Sequence, residues 1–92
     1  MVLDITATKY TEAEAARLKR DMEFYFSTPR GSLPQMRNYG IDYSVFDLPV
    51  HQLQQRLTVE IITGMRGQFG INPQKVTVTA DENGVVTAAV VI

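Results

Sequence analysis

The sequence FSTPRGSLPQMRNYGIDYSVFD, residues 26–47, joins two strongly helical segments. Pro29, Pro34, Gly31 and Gly40 interrupt it, and both residue types oppose regular structure. A connector this long is uncommon in a compact domain unless it binds something or is disordered. Its apolar residues argue against disorder because they can be buried; they are Leu33, Met36, Tyr39, Ile41, Tyr43, Val45 and Phe46. We predict an ordered connector that lies across the domain and presents a surface.

The segment before the connector has the pattern of a capped amphipathic helix. Thr11 and Glu14 have the spacing of a capping box, in which each side chain accepts a hydrogen bond from a free backbone N–H of the other. We predict a helix over residues 12–26. Its apolar stripe is Ala15, Leu18, Met22, Tyr25 and Phe26. Phe24 lies off this stripe, so it either covers a neighbouring loop or is exposed for a partner.

A second, longer helix is predicted after Asp47, which has the chemistry of an N-cap, with Pro49 in the first turn and Gly70 as the C-terminal stop. Gly64 is unfavourable inside a helix. It indicates either an early helix end or a place where another backbone comes close. The predicted buried side is Val50, Leu53, Leu57, Ile61, Ile62, Met65 and Phe69.

The end of the sequence has the pattern of a β-hairpin. Residues 75–80 alternate at period two, Asp81-Glu-Asn-Gly84 supplies a turn, and residues 85–92 form the returning strand. The returning strand, VVTAAVVI, has no charge, so it must be central in the sheet or covered by another chain. Residues 2–6 form either an edge strand or an arm. The prediction is one α+β domain over residues 1–92, with two main helices packed against a small antiparallel sheet that ends in a C-terminal hairpin.

Composition excludes several functional classes. The 92 residues have a net charge of −1, which gives no support to a nucleic-acid or anionic-membrane partner. The absence of cysteine excludes disulfides and thiolate chemistry, and a single histidine, His51, disfavours a transition-metal site. No apolar run approaches the roughly 20 residues that span a bilayer. The N-terminal residues lack the pattern of a signal peptide, so a cytoplasmic origin is expected.

No catalytic constellation is recognisable in the sequence. A glycosidase needs two carboxylates held across a cleft. The available acidic residues show no spacing that selects a pair; they are Asp42, Asp47, Glu60 and Glu82. No serine is placed on a sharp turn as a nucleophile would be. Arg30 and Arg37 are expected to pair with carboxylates, on this chain or on another subunit. We therefore predict no enzyme activity, no cofactor, no metal and no small-molecule ligand.

The order of these features resembles one protein family. A capped helix ends in Phe-Ser-Thr-Pro-Arg-Gly-Ser, and Pro34, a Tyr-Gly pair, a long helix, a proline and a terminal hairpin follow. This order is similar to that of the small baseplate wedge proteins of contractile phage tails and related injection systems, the gene-product-W or lysozyme-like wedge family. The resemblance covers residues 11–92. The matching positions are Thr28, Gly31, Ser32, Tyr39 and Gly40.

One motif departs from the family pattern. Family members usually carry Glu-Pro-Arg between the long helix and the hairpin, where it contacts the wedge partners. This chain has Asn72, Pro73 and Gln74 there. The proline is retained and both charges are absent, which replaces a salt-bridged contact by, at most, a hydrogen-bonded one.

The resemblance implies a structural role in a virion. Such a protein is a baseplate component that joins the wedge to the tail and acts as sheath initiator, because arms of the sheath protein add to its sheet as strands. Baseplate wedge proteins and the tail sheath protein are the implied partners, and the implied location is the tail baseplate, assembled in the host cytoplasm. Expected contacts on the wedge side are Thr28, Arg30, Gly31, Arg37, Tyr39, Gly40, Asn72, Pro73 and Gln74. Expected contacts on the sheath side are Val85, Thr87, Ala89, Val90, Val91 and Ile92.

Two other functions compete with this interpretation. The first is a soluble adaptor or regulatory protein of the same fold, which would be monomeric and stable without sheath or wedge proteins. The second is a peptidoglycan hydrolase, which would need a usable carboxylate pair in a groove lined by aromatic residues. Under the strand-addition hypothesis, a charge at Val90 is expected to block sheath attachment while the domain stays folded.

Overall fold

A computed structural model describes all 92 residues. The order of the elements is β1 (Val2–Thr6), α1 (Glu12–Phe26), a short 3₁₀ helix (Tyr43–Asp47), α2 (Val50–Phe69), β2 (Lys75–Ala80) and β3 (Val86–Val91). The two α-helices cover one face of a three-stranded sheet, so the α+β prediction is confirmed.

The sheet is mixed, so the prediction of an antiparallel sheet is wrong. Its strand order is β1-β3-β2, in which β2 pairs antiparallel with β3 and β1 pairs parallel with β3. A parallel pair needs a crossover connection, and here the connection from β1 to β3 contains both α-helices, the 3₁₀ helix and β2. The uncharged strand β3 is therefore central, which is one of the two positions that its composition allowed.

The helix α1 begins and ends where the sequence predicts. The Thr11 side chain accepts a hydrogen bond from the Glu14 backbone N–H at 3.2 Å, and the Glu14 carboxylate accepts one from the Thr11 N–H at 3.3 Å. Both halves of the capping box are thus formed. Met22 and Phe26 on its apolar stripe are almost completely buried. Each such side chain contributes roughly 1.5–3 kcal/mol of transfer free energy.

The start of α2 differs from the prediction. Asp47 is the last residue of the 3₁₀ helix, and Pro49 occupies the N-cap position without a side-chain hydrogen bond. The predicted N-cap role of Asp47 is therefore wrong, and so is the burial of Val50, which is exposed because it lies in the first turn. Gly70 ends the helix in the left-handed conformation, as predicted.

The core lies between the helices and the inner face of the sheet. That face carries Leu3 and Ile5 of β1, alternate residues of β3, and Val78 of β2. The buried side chains of α1 and α2 close over it; they are Met22, Tyr25, Phe26, Leu53, Leu57, Ile61 and Met65. No helical layer covers the opposite face, where Asp4, Thr77 and Ala89 occupy one cross-strand row.

Candidate partner-binding surfaces

The predicted connector contains an ordered loop whose two ends, residues 28–30 and 40–41, are joined by backbone hydrogen bonds. We call these joined ends the neck of the loop. The Ile41 N–H donates to the Thr28 carbonyl at 3.1 Å, and the Arg30 N–H donates to the Ile41 carbonyl at 2.8 Å. Residues 28–41 therefore form a compact surface loop whose two ends lie side by side. Thr28 is buried, and its hydroxyl donates to the Phe24 carbonyl at 2.6 Å. The neck fixes how the loop leaves α1.

Gly40 is required at this neck. Its φ is +100°, which side chains rarely adopt, and a Cβ there would lie 2.1 Å from the Thr28 carbonyl oxygen. Thr28 and Gly40 are both positions on which the family resemblance depends. In this fold they touch, and both have an internal structural role.

Arg30 pairs with a carboxylate of its own chain. Its Nη2 lies 2.7 Å from Glu60 Oε2 on α2, with side-chain exposures of 41% and 18%. Such a partly exposed pair contributes little, about 0–1 kcal/mol, to stability. It does position the loop against α2. Of the two alternatives for Arg30, the intramolecular one is observed.

Aromatic rings attach the loop to both helices. Tyr25 packs edge-on against Tyr39 of the loop and Phe69 of α2, with ring centroids 4.9 and 5.7 Å apart. Phe24 lies 5.8 Å from the Tyr39 ring and is still 58% exposed. Phe24 thus both covers the loop and presents apolar surface to solvent.

Burial raises the pKa of three phenols in and beside this cluster. Desolvation is the main cause for Tyr25, followed by opposing effects of Arg30, which lowers the pKa, and Glu60, which raises it. Desolvation also raises the pKa of Tyr39 and of Tyr43, whose hydroxyl donates to the Phe26 carbonyl at 2.9 Å. Each phenol is held in its neutral form.

The remaining expected wedge-side residues lie around the C-terminal part of α2. Gln68 lines a shallow depression together with the loop tip, residues 35–39, which includes Arg37. In the same part of α2, the Arg66 Nε donates to Asn72 Oδ1 at 2.8 Å. The Gln74 amide donates to Thr8 Oγ1 at 3.0 Å, so it ties the start of β2 to the segment after β1. Gly31 and Arg37 are exposed members of the expected set in the loop, and Arg30 is exposed in part, because it pairs with Glu60.

The expected sheath-side residues do not form one surface. Val90 and Ile92 are 1% and 3% exposed and belong to the core. Thr87, Ala89 and Val91 point to the uncovered face, and Val85 lies in the turn before β3. Because β3 is paired on both sides, no strand can add to it. The expected addition of a strand to residues 85–92 is wrong.

The first strand carries the unpaired edge of the sheet. The Thr6 carbonyl accepts from the Ile92 N–H, so the backbone groups of Val2, Asp4 and Thr6 face β3. Those of Leu3 and Ile5 face away from the sheet, and no loop or side chain hydrogen-bonds to them. The outer edge of β2 differs, because Gln54 of α2 donates to the Val78 carbonyl there at 3.1 Å.

A groove of about 640 Å³ lies at the N-terminal end of β1, beside its outer edge. Val2 and Leu3 both line it, although their side chains point to opposite faces of the sheet, and no residue of β3 does. The groove therefore wraps around the free edge. Its other wall is a face of α1 and the ring of Tyr43. The lining residues of α1 are Arg20, Glu23, Phe24 and Phe26.

This groove is not apparent from the sequence. Of the two alternatives for residues 2–6, an edge strand or an arm, the edge strand is correct. The alternation of Leu3 and Ile5 with polar neighbours was the available signal for a half-buried strand. Nothing local indicates that α1 lies beside it.

The acidic groups show no arrangement of three metal-binding side chains. Asp42 caps the 3₁₀ helix, since its carboxylate accepts from the Ser44 hydroxyl at 2.7 Å and from the Ser44 N–H at 3.0 Å. These hydrogen bonds, with the hydroxyl contributing most, lower the pKa of Asp42. The role of Asp42 in this structure is that of a cap.

No protein-family model matches the chain, and no curated protein or solved structure is significantly similar to it. Within the fold, neither helix combines the length and the apolar character that crossing a membrane requires.

Proposed function

We propose that this chain is a structural component of a contractile tail baseplate, related to the lysozyme-like wedge proteins. In this role it joins the wedge to the tail and templates the sheath by strand addition. Its location is then the virion, and its partners are the baseplate wedge proteins and the tail sheath protein. The proposal is one of assembly and assigns no catalytic step.

The observation that carries the proposal is the free edge of β1. Strand addition requires a row of unpaired N–H and C=O groups, from which the added chain takes its affinity. Leu3 and Ile5 present such a row, whereas β3 is paired on both sides and β2 is partly covered by Gln54. The site of addition is therefore β1 and not the C-terminal strand.

A second feature supports a wedge-facing role for the loop. Residues 28–41 are anchored at the neck, by the Arg30–Glu60 pair and by the Tyr39 ring, and yet Met36 at the tip is 51% exposed. An anchored loop with an exposed apolar tip loses little conformational freedom when it binds. Such a loop is suited to contact the wedge proteins.

A pull-down against the sheath and wedge proteins encoded beside the gene tests the proposal. We expect the wild-type chain to retain both partners, and Leu3→Pro to lose the sheath protein alone. Proline at position 3 removes an N–H that points away from the sheet, so the internal ladder remains.

The matched control is Asp4→Pro, whose lost N–H faces β3 and whose fold is therefore weakened. Circular dichroism distinguishes a misfolded variant from one that only fails to bind. Failure of the wild-type chain to retain either partner would contradict the baseplate role and favour the soluble adaptor.

A further inference from the structure

We infer that the edge of β1 selects an extended segment in which a basic residue lies between two apolar residues. This inference rests on the proposed function in that it describes the strand that adds to β1. It is carried by three observations on the residues that border the free edge.

The first observation defines the class of ligand. Leu3 and Ile5 each present an N–H and a C=O outward at the spacing of a β-strand, with no partner within the chain. Only another extended backbone satisfies both residues at once, which specifies a peptide segment.

The second observation concerns the inner side of the added strand. Leu3 and Ile5 point towards the helices, so the segment's residues beside them point there too. Beside Leu3 that side opens on the groove, in which Phe24 is 58% exposed and Leu3 is partly exposed, whereas Ile5 is buried and does not line the groove. An apolar side chain beside Leu3 would remove this surface from water, and an apolar side chain beside Ile5 would continue the apolar inner face of the sheet.

The third observation concerns the outer side of the strand. Asp4 is exposed on the uncovered face of the sheet, between Leu3 and Ile5, and has no salt-bridge partner. Its row continues with Ala89 and Thr77, neither of which is charged. The residue that pairs with Asp4 from an added strand lies on the same face, where an opposite charge stabilises the pair and a like charge destabilises it.

The charge of Asp4 also disfavours a second copy of this chain as the occupant. If two β1 edges paired antiparallel with Leu3 opposite Ile5, each Asp4 would lie directly opposite the other. A partner with lysine or arginine at that position has no such repulsion.

The test uses two synthetic peptides that alternate valine and threonine and carry either one central lysine or one central glutamate. In the free protein, the amide protons of Leu3 and Ile5 are expected to exchange with solvent much faster than that of Asp4, which faces β3. The lysine peptide should protect the Leu3 and Ile5 amides, and it should bind roughly fivefold more tightly than the glutamate peptide.

The decisive variant is Asp4→Lys, for which the order of the two affinities should reverse. Glu82→Lys makes the same change of charge in the exposed turn before β3 and should leave the order unchanged. A version of the lysine peptide that is N-methylated on alternate residues should not bind, because it cannot donate to the edge.

Three outcomes would overturn the inference. The first is that the Leu3 and Ile5 amides are not protected at about 1 mM peptide, and the second is that the two peptides bind equally well. The third is that the free protein is a dimer in analytical ultracentrifugation and that the same two amides are protected in it. The peptide result is independent of the pull-down. If the order of the two peptide affinities reverses in Asp4→Lys but the wild-type chain does not retain the sheath protein, the baseplate role is rejected and the specificity of the β1 edge stands. If the chain retains the sheath protein but the order does not reverse, the specificity of the edge alone is rejected.

Discussion

Gly64 is the residue at which α2 receives the ring of Tyr25. A Cβ at this position would lie 2.7 Å from Tyr25 Cε1. The ring cannot move aside easily, because Phe26, Tyr39 and Phe69 pack around it. From the sequence, Gly64 indicates either an early helix end or the close approach of another backbone. The helix continues, and the close neighbour is an aromatic side chain.

Gly64→Ala should therefore destabilise the domain although alanine favours helices. Overpacking costs about 1–3 kcal/mol and the gain in helix propensity is about 1 kcal/mol, so we expect the free energy of unfolding to fall by about 1 kcal/mol. Urea denaturation followed by circular dichroism measures the change.

Gly67→Ala is the matched control in the same helix. Nothing lies within 4 Å of a Cβ at that position. The substitution should raise the free energy of unfolding by up to about 1 kcal/mol. Equal stabilities of the two variants would mean that Tyr25 does not pack against Gly64.

At the scale of the secondary-structure elements, alternate side chains of the central strand β3 face the core and the uncovered side of the sheet. Val90 is 1% exposed and faces the helices, whereas Ala89 faces solvent beside Asp4. The expectation that a charge at Val90 leaves the domain folded is therefore wrong.

We predict that Val90→Lys lowers the free energy of unfolding by at least about 3 kcal/mol, since it buries an unpaired charge. Ala89→Lys should leave the fold intact, because the lysine reaches water and lies next to Asp4. Thermal unfolding of both variants compares them directly. A cooperative transition of Val90→Lys at the wild-type temperature would contradict the burial of Val90 in the core.

The elements that the sequence predicts correctly are those specified by local chemistry. The capping box fixes the start of α1, and the turn at residues 81–84 fixes the hairpin. Asp47 has the chemistry of a cap and lies two positions before Pro49, but the side-chain cap of this region is Asp42, on the 3₁₀ helix. The pairing of β1 with β3 joins residues more than 80 positions apart, and no local pattern encodes it.

The same distinction applies to the candidate surfaces. The loop was predictable because its prolines, glycines and aromatic residues are contiguous in sequence. The groove was not, because it exists only where α1 lies beside the free edge of β1. Residues 85–92 were predicted to be a contact surface because they carry no charge. In this fold, the lack of charge is explained by the central position of β3 in the sheet.

For the molecule as a whole, the desolvation of three phenols predicts a loss of stability at alkaline pH. Desolvation raises the folded-state pKa of Tyr25, Tyr39 and the partly exposed Tyr43 above the usual tyrosine value of about 10. As the pH rises, the unfolded chain loses these protons first. The stabilising contribution is therefore complete below about pH 10 and is lost as the pH rises through the folded-state pKa values.

The urea concentration at the unfolding midpoint should thus decrease as the pH is raised from neutral to about 11. Phenolate absorbance should rise together with unfolding. The variant that isolates the contribution of these phenols is the double substitution Tyr25→Phe with Tyr39→Phe. It keeps both rings and leaves Tyr43, which donates to the Phe26 carbonyl, in place. We expect the double variant to lose less stability at alkaline pH than the wild-type chain does. If both chains lose the same amount, the aromatic cluster between the loop and the two helices is not closed to water in solution, and the loop is not held as the structure has it.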